Sequence, residues 1–183
     1  MSGRLGAEAA FEAYERELAR WGARMNLVGS TDPEAIARHV EDSLAAADEL
    51  PAGASVVDLG SGAGFPGLPI ALSRRDLTVV LVEVREKRVA FLRHVVRELA
   101  PHVEILARSI EDEPPRTFSF ALLRAVAKPP RSLELARPWL GPAGEAWIWA
   151  GPADDLPGAR PLPLRSGGRI LRLRAADFSR GTT

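Results

Sequence analysis

The run Val56-Val57-Asp58-Leu59-Gly60-Ser61-Gly62-Ala63-Gly64-Phe65-Pro66-Gly67 puts an acidic residue at the end of an apolar segment and then a glycine at every second position. A strand that must turn away abruptly needs residues able to adopt positive φ, and glycine does so with no Cβ in the way. Side chains at Gly60, Gly62 and Gly64 would also stand between the main chain and a ligand lying on it. The pattern therefore predicts a strand, a tight loop and a helix whose loop backbone meets a nucleotide-like molecule.

The flanking sequence has the rhythm of a parallel sheet. Short β-branched runs at Ser55–Leu59 and Thr78–Val82 alternate with helical segments at about Pro66–Ser73 and Glu86–Leu99. An almost wholly apolar strand such as Thr78–Val82 is expected where both faces of the sheet are covered. Further strands are predicted at Val103–Ala107, Phe118–Leu123 and Ala146–Ala150, with a short helix at Ser132–Leu140. The Pro- and Gly-rich stretch from Gly151 to Pro163 reads as a loop without ladder capacity, and Leu164–Arg165 with Arg169–Arg174 as a closing antiparallel hairpin.

Ahead of the sheet lie two predicted helices. Phe11, Tyr14, Leu18, Trp21 and Met25 recur at helical spacing. Thr31-Asp32-Pro33-Glu34 supplies a capping side chain, a first-turn proline and an early acid for a second helix, which runs to about Glu49 with Ile36, Val40, Leu44 and Ala47 on its apolar face. In the fourth helix, Val89, Leu92, Val96 and Leu99 are expected inside and Arg93 and Arg97 outside.

Composition narrows the chemistry. A chain of 183 residues with 46% apolar content suits one domain with one core, divided into a helical cap over 1–50 and a sheet core over 51–183. It has no cysteine and three scattered histidines, His39, His94 and His102, which excludes a disulfide framework and makes metal chemistry a poor expectation. Basic and acidic residues balance at 24 each, so any nucleic-acid partner must be met by local patches. No apolar run is long enough to span a bilayer, and the opening Arg-Leu-Gly-Ala-Glu is unlike a secretory signal, so a cytoplasmic protein is expected; a monomer is the separate expectation for its assembly.

Two cofactor classes compete for the loop, because Gly62-Ala63-Gly64-Phe65-Pro66-Gly67 also satisfies the dinucleotide fingerprint. Pro66 removes an amide donor from the place where a pyrophosphate would sit, and Asp58 would face two phosphates with like charge. The same carboxylate suits the ammonium of S-adenosylmethionine. Glu83, at the carboxyl end of the second strand, is placed to accept hydrogen bonds from both hydroxyls of a ribose.

Met25-Asn26-Leu27-Val28, Arg38-His39-Val40-Glu41-Asp42-Ser43-Leu44, Asp58-Leu59-Gly60-Ser61-Gly62-Ala63-Gly64-Phe65-Pro66-Gly67-Leu68-Pro69, Lys87-Arg88-Val89-Ala90-Phe91-Leu92 and Arg124-Ala125-Val126-Ala127 follow one another in order. Together these segments resemble the ribosomal RNA small-subunit methyltransferase G family, also called glucose-inhibited division protein B. The resemblance implies an α/β, Rossmann-like class I methyltransferase fold with a mostly parallel sheet, a C-terminal antiparallel hairpin and an N-terminal helical cap. It implies methyl transfer from S-adenosylmethionine to N7 of a guanine in 16S ribosomal RNA, free or in the small subunit.

It further implies that Asp58, Gly60, Gly62, Gly64, Phe65, Glu83, Ile110, Glu111 and Arg124 form the cofactor site, and that Arg124, Asn26 and His39 position the reactants. Apart from the resemblance, Lys87, Arg88, Lys128 and Arg131 follow strand ends or lie near them at the rim of the cleft and are expected to face RNA, and no metal is expected. His39, Asp42 and Ser43 can equally be a helix-anchoring hydrogen-bond network. The chain departs from the family pattern at Leu123, where serine is usual before the arginine, and at Ala150-Gly151, where a lysine-glycine pair is common. A non-catalytic binding module on the same fold, or a methyltransferase for another substrate, is the alternative that these departures suggest.

Overall fold

The computed structural model describes residues 2–25 and 32–178, with side chains described over 8–22 and 32–178. Strands β1 (Ser55–Leu59), β2 (Thr78–Val82), β3 (Glu104–Leu106), β4 (Phe118–Arg124), β5 (Leu140–Ala150), β6 (Arg160–Pro163) and β7 (Arg169–Arg174) form one sheet in the order β3-β2-β1-β4-β5-β7-β6. The pairs β1/β2, β1/β4, β2/β3 and β4/β5 are parallel. The pairs β5/β7 and β6/β7 are antiparallel. Strand order reverses between β1 and β4, so the crevice of the doubly wound fold opens at their carboxyl ends.

One face of the sheet carries α1 (Ser2–Met25), α2 (Pro33–Glu49), α3 (Gly67–Ser73) and α4 (Glu86–Leu99). Their apolar sides meet Val56, Val79, Leu81, Leu122 and Trp147. The other face is covered by α5 (Pro129–Ala136) and the short 3-10 turns that follow α5 and β7, over Val57, Val80, Leu123, Ile148 and Leu171. Alternation along each strand thus sends Asp58 and Arg124 toward the four-helix side. This fixes which helices the site is built against.

The helices begin where the residues dictate. Asp32 caps α2 by accepting from the Ala35 N–H at 3.2 Å, with Pro33 in the first turn. On α2 the buried set includes Asp42 and Ser43 beside Ile36, Val40, Ala46 and Ala47, while Leu44 is only partly buried. On α4, Phe91 and Val95 join Val89 and Leu92 inside, and Val96 and Leu99 lie at the margin, so the buried stripe is rotated from the expected one.

Other boundaries differ from expectation. β5 begins at Leu140, not Ala146, because Leu140 pairs with Phe118 and the ladder resumes at Glu145 opposite Phe120, with residues 141–144 taking up the bulge between the two pairs. α5 begins at Pro129, since consecutive prolines fit a first turn where amide hydrogens have no helical partner. The stretch to Pro163 is not all loop: Arg160–Pro163 pairs with Arg169–Arg172 as the first hairpin strand, and Leu164–Arg165 belongs to the turn. Two prolines are compatible with this strand because β6 is the sheet's outer edge.

Candidate active site

The loop after β1 is held by its own backbone and by two carboxylates. Gly60 and Ser61 donate to the Val82 carbonyl at 2.9 and 3.0 Å, which clamps the loop to the end of β2. Gly60, Gly62 and Gly64 all have positive φ, at 75°, 58° and 101°. The expected reason for bare main chain holds only in part. A Cβ on Gly64 would stand 2.4 Å from Leu68 Cδ1 and 3.1 Å from the Tyr14 hydroxyl, and one on Gly60 would stand 3.0 Å from Val126 Cγ2. At these two positions the protein's own side chains fill the space assigned to a ligand. Helix packing and backbone conformation both require Gly64, Val126 and a positive φ require Gly60, and at Gly62 only the positive φ does, since an added Cβ would meet nothing closer than Arg88 Nη1 at 3.5 Å.

Asp58 is fully buried. Its Oδ2 accepts from the Gly67 N–H at 3.0 Å, and its Oδ1 has no hydrogen-bond partner among the described residues. Burial pushes its pKa from 3.8 up to about 7, opposed by the Gly67 hydrogen bond and the Arg124 charge. The folded state holds this proton more tightly than the unfolded chain does. Asp58 therefore contributes stability that is complete below its unfolded value of 3.8 and is lost as pH rises through about 7, on the order of 4 kcal/mol in all. Urea melts at pH 5 and pH 8 are expected to show Asp58→Asn gaining on the wild type at the higher pH; an unchanged difference would contradict the assignment.

Glu83 is buried at the end of β2 and is already well occupied. Its Oε2 accepts from the Gly62 N–H at 3.0 Å, and its Oε1 from the Val84 and Arg85 N–H groups at 2.9 and 2.8 Å. Arg88 Nη1 lies 3.7 Å away. Glu83 thus orders the glycine loop as well as facing the crevice.

A second cluster lies on the four-helix side. The Arg124 guanidinium donates to Nδ1 of His39 and, at 3.4 Å, to the His39 carbonyl. It stands 3.6 Å from Asp42 and 5.8 Å from the centre of the Phe65 ring. Since a guanidinium only donates, His39 Nδ1 must be unprotonated. Burial and the adjacent Arg124 lower the His39 pKa, consistent with that neutral form. Ser43 donates to the His39 carbonyl at 2.6 Å. Phe65 is enclosed by Tyr14 and His39, with ring centres 5.5 and 5.4 Å away.

His39, Asp42, Ser43 and Arg124 are therefore brought together as a fastening between α2 and β4. Asn26 lies outside the described residues. Ile110 and Glu111 follow β3: the Ile110 carbonyl accepts from Trp139 Nε1 at 3.0 Å, and Glu111 is paired with Arg131 at 2.6 Å.

The cations named for RNA are not equivalent. Arg88 faces Glu83, Lys128 lies 3.3 Å from Asp154, and Arg131 holds both Glu111 and Glu134. Lys87 is exposed and, among the described residues, has no carboxylate partner.

Helical spacing alone gives Tyr14 no role beyond the apolar stripe of α1. It is buried, yet its hydroxyl donates to the Ala63 carbonyl at 2.7 Å and so ties α1 to the glycine loop. Its polar tip within an apolar stripe was the available signal. Val84 was also missed: at 61% exposure it is the one large apolar side chain left exposed among the described residues, directly after Glu83 at the crevice rim. No group of His, Asp or Glu suited to hold a metal occurs among the described residues. None of their helices is long and apolar enough to cross a membrane.

A family model described as rRNA small subunit methyltransferase G matches residues 7–154. The protein of that name from Desulfotalea psychrophila is 48% identical over 104 residues, covering 55% of this chain and 48% of that protein, about half its length. The one from Gluconobacter oxydans is 34% identical over 182 residues, covering 92% of this chain and 93% of that protein. A SAM dependent methyltransferase from Aquifex aeolicus shares the fold with a TM-score of 0.61 at 18% identity, over 79% of this chain and 94% of that one. With a switch point, a glycine loop and two strand-end carboxylates in place, the chain belongs to the rRNA small subunit methyltransferase G family and has the class I methyltransferase fold.

Proposed function

We propose that the protein transfers a methyl group from S-adenosylmethionine to N7 of a guanine in 16S ribosomal RNA, acting in the cytoplasm as a monomeric single domain. The observation that carries this reading is the placing of Asp58 and Glu83 at the ends of adjacent strands on either side of the glycine loop. The unpartnered Oδ1 of Asp58 fits a cationic donor such as the cofactor's ammonium. Glu83, with three backbone N–H groups already bound, takes the sugar hydroxyls on its remaining acceptor capacity or by displacing the Gly62 N–H. Val84 and Ile110 offer apolar surface for adenine.

When bound, the cofactor supplies an electrophilic sulfonium methyl, and the in-plane lone pair of guanine N7 accepts it without a base. The protein's contribution is accordingly orientation, which can lower the barrier by several kcal/mol. Arg124 and His39 serve by holding α2 against β4 beneath the loop. Lys87, with exposed Arg85 and Arg93, supplies cations for phosphate contact. Because the groove of helical RNA is deep and narrow, the target guanine is expected in a loop or an opened segment.

The experiment is a map of methylated guanines in 16S ribosomal RNA from cells lacking the protein, complemented with the wild type or with Gly60→Arg. The modification is expected to return with the wild type only, since a side chain at Gly60 is strained at φ 75° and meets Val126. Retention of the modified guanine in the deletion strain removes this function. Calorimetry adds a second check. If the ammonium ionises Asp58, whose pKa is about 7, cofactor binding near neutral pH releases a proton, and the observed heat varies with buffer ionisation enthalpy.

A further inference from the structure

The carboxyl ends of β4 and β5 bound a second recess, a cleft of about 310 Å³ lined by Ala125, Val126, Lys128, Pro129, Trp149 and Asp154. Ala125 has φ 54°, a left-handed conformation unusual for a residue with a side chain, and it turns the chain off β4 so that residues 126–128 wall the cleft. Val126 forms the wall nearest the glycine loop, 3.0 Å from where a Cβ on Gly60 would lie. Asp154 forms the far wall, on the segment that follows β5.

Asp154 is fixed in place: Oδ2 accepts from the Gly151 N–H at 3.0 Å, and Oδ1 faces Lys128 Nζ at 3.3 Å. Those two contacts also hold its pKa below the usual carboxylate value, so it is an anion at neutral pH. Each oxygen keeps a free lone pair. Trp149 pairs in register with Arg124 and borders the cleft, with its Nε1 unpartnered among the described residues. A flat apolar ring, a fixed anion and a wall shared with the glycine loop suit a single nucleobase taken out of its stack.

A fixed carboxylate distinguishes the bases. Two adjacent donors on one edge match its two oxygens, and guanine offers them, N1–H and the N2 amino group, on the edge away from N7. We propose that this cleft receives the target guanine, with Asp154 accepting from N1–H and the N2 amino group, Trp149 against the ring face, and the N7 edge turned toward Val126 and the glycine loop. The assignment rests on the guanine-methylating function above and identifies the residue that selects the base. Lys128, 85% exposed, is free to swing from Asp154 to the phosphate of the extruded nucleotide. It supplies on this rim a cation that Ala150 does not.

The test is methyl transfer to a ribosomal RNA fragment carrying, at the mapped position, either guanine or inosine, which lacks the N2 amino group. The wild type is expected to favour guanine in kcat/KM by about tenfold, the usual worth of one such contact. Asp154→Asn is expected to lose about tenfold on guanine and little on inosine, so that the preference collapses while cofactor affinity by calorimetry is unchanged. Trp149→Phe, which keeps a ring, is expected to retain the preference. An Asp154→Asn enzyme that still favours guanine by the wild-type ratio overturns the proposal. A wild type that binds the cofactor and methylates neither fragment overturns instead the function on which it rests.

Discussion

Gly64→Ala is expected to lower the melting midpoint by about 10 °C and to weaken cofactor binding at least tenfold. At φ 101° the backbone is in a region that side chains rarely enter, and the new Cβ would lie 2.4 Å from Leu68 Cδ1, 2.9 Å from Leu68 Cγ and 3.1 Å from the Tyr14 hydroxyl. Left-handed strain costs about 1–2 kcal/mol and overpacking about 1–3 kcal/mol. For a chain of this length each kcal/mol shifts the midpoint by about 2–4 °C. Gly53→Ala is the control: its φ is 70° but nothing lies within 4 Å, so only the backbone cost remains. Equal shifts for the two variants in thermal denaturation would refute the packing argument. The loss of affinity follows because relief comes from moving α3 or the Tyr14 tie, and both hold the loop.

The second large effect is expected at Arg124. Arg124→Ala leaves Asp42, 7% exposed, without its cation and His39 Nδ1 without its donor. Removing one partner from a buried pair typically costs about 3–5 kcal/mol, because the other charge remains buried. Chemical denaturation is expected to show a loss of about 3 kcal/mol for Arg124→Ala. The double variant Arg124→Ala with Asp42→Ala is expected to recover at least 1 kcal/mol of it. Additive losses would mean that the two side chains act independently. Arg124→Lys is expected to restore little, since a single ammonium cannot reach the ring nitrogen and the carbonyl of His39 together as the guanidinium fork does.

Those partners also show where the sequence was readable. β1, β2 and α4 have the residue limits expected from hydrophobic patterning, because a β-branched run covered on both faces and a helix with one apolar stripe leave little choice. Asp58 and Glu83 were legible as strand-end carboxylates. The groups they bind were not, since which N–H meets Glu83 depends on how the loop at Gly62 folds back over β2. The contact between Arg124 and His39 joins positions 85 apart in the chain and follows only from packing α2 against the sheet. β6 was hidden for a local reason. Its sequence Arg-Pro-Leu-Pro has the composition of a loop, and only its place outside β7 makes it a strand.

That same placement has a consequence for the molecule in a crowded cell. Pro161 and Pro163 occupy alternate positions, so the hydrogens they lack would have pointed the same way, away from β7 if Arg160 and Leu162 supply the pairing donors. The opposite margin of the sheet is β3, only three residues long. Neither border offers a newcomer a continuous row of amides, which guards the folded chain against ribbon-like growth with other copies of itself.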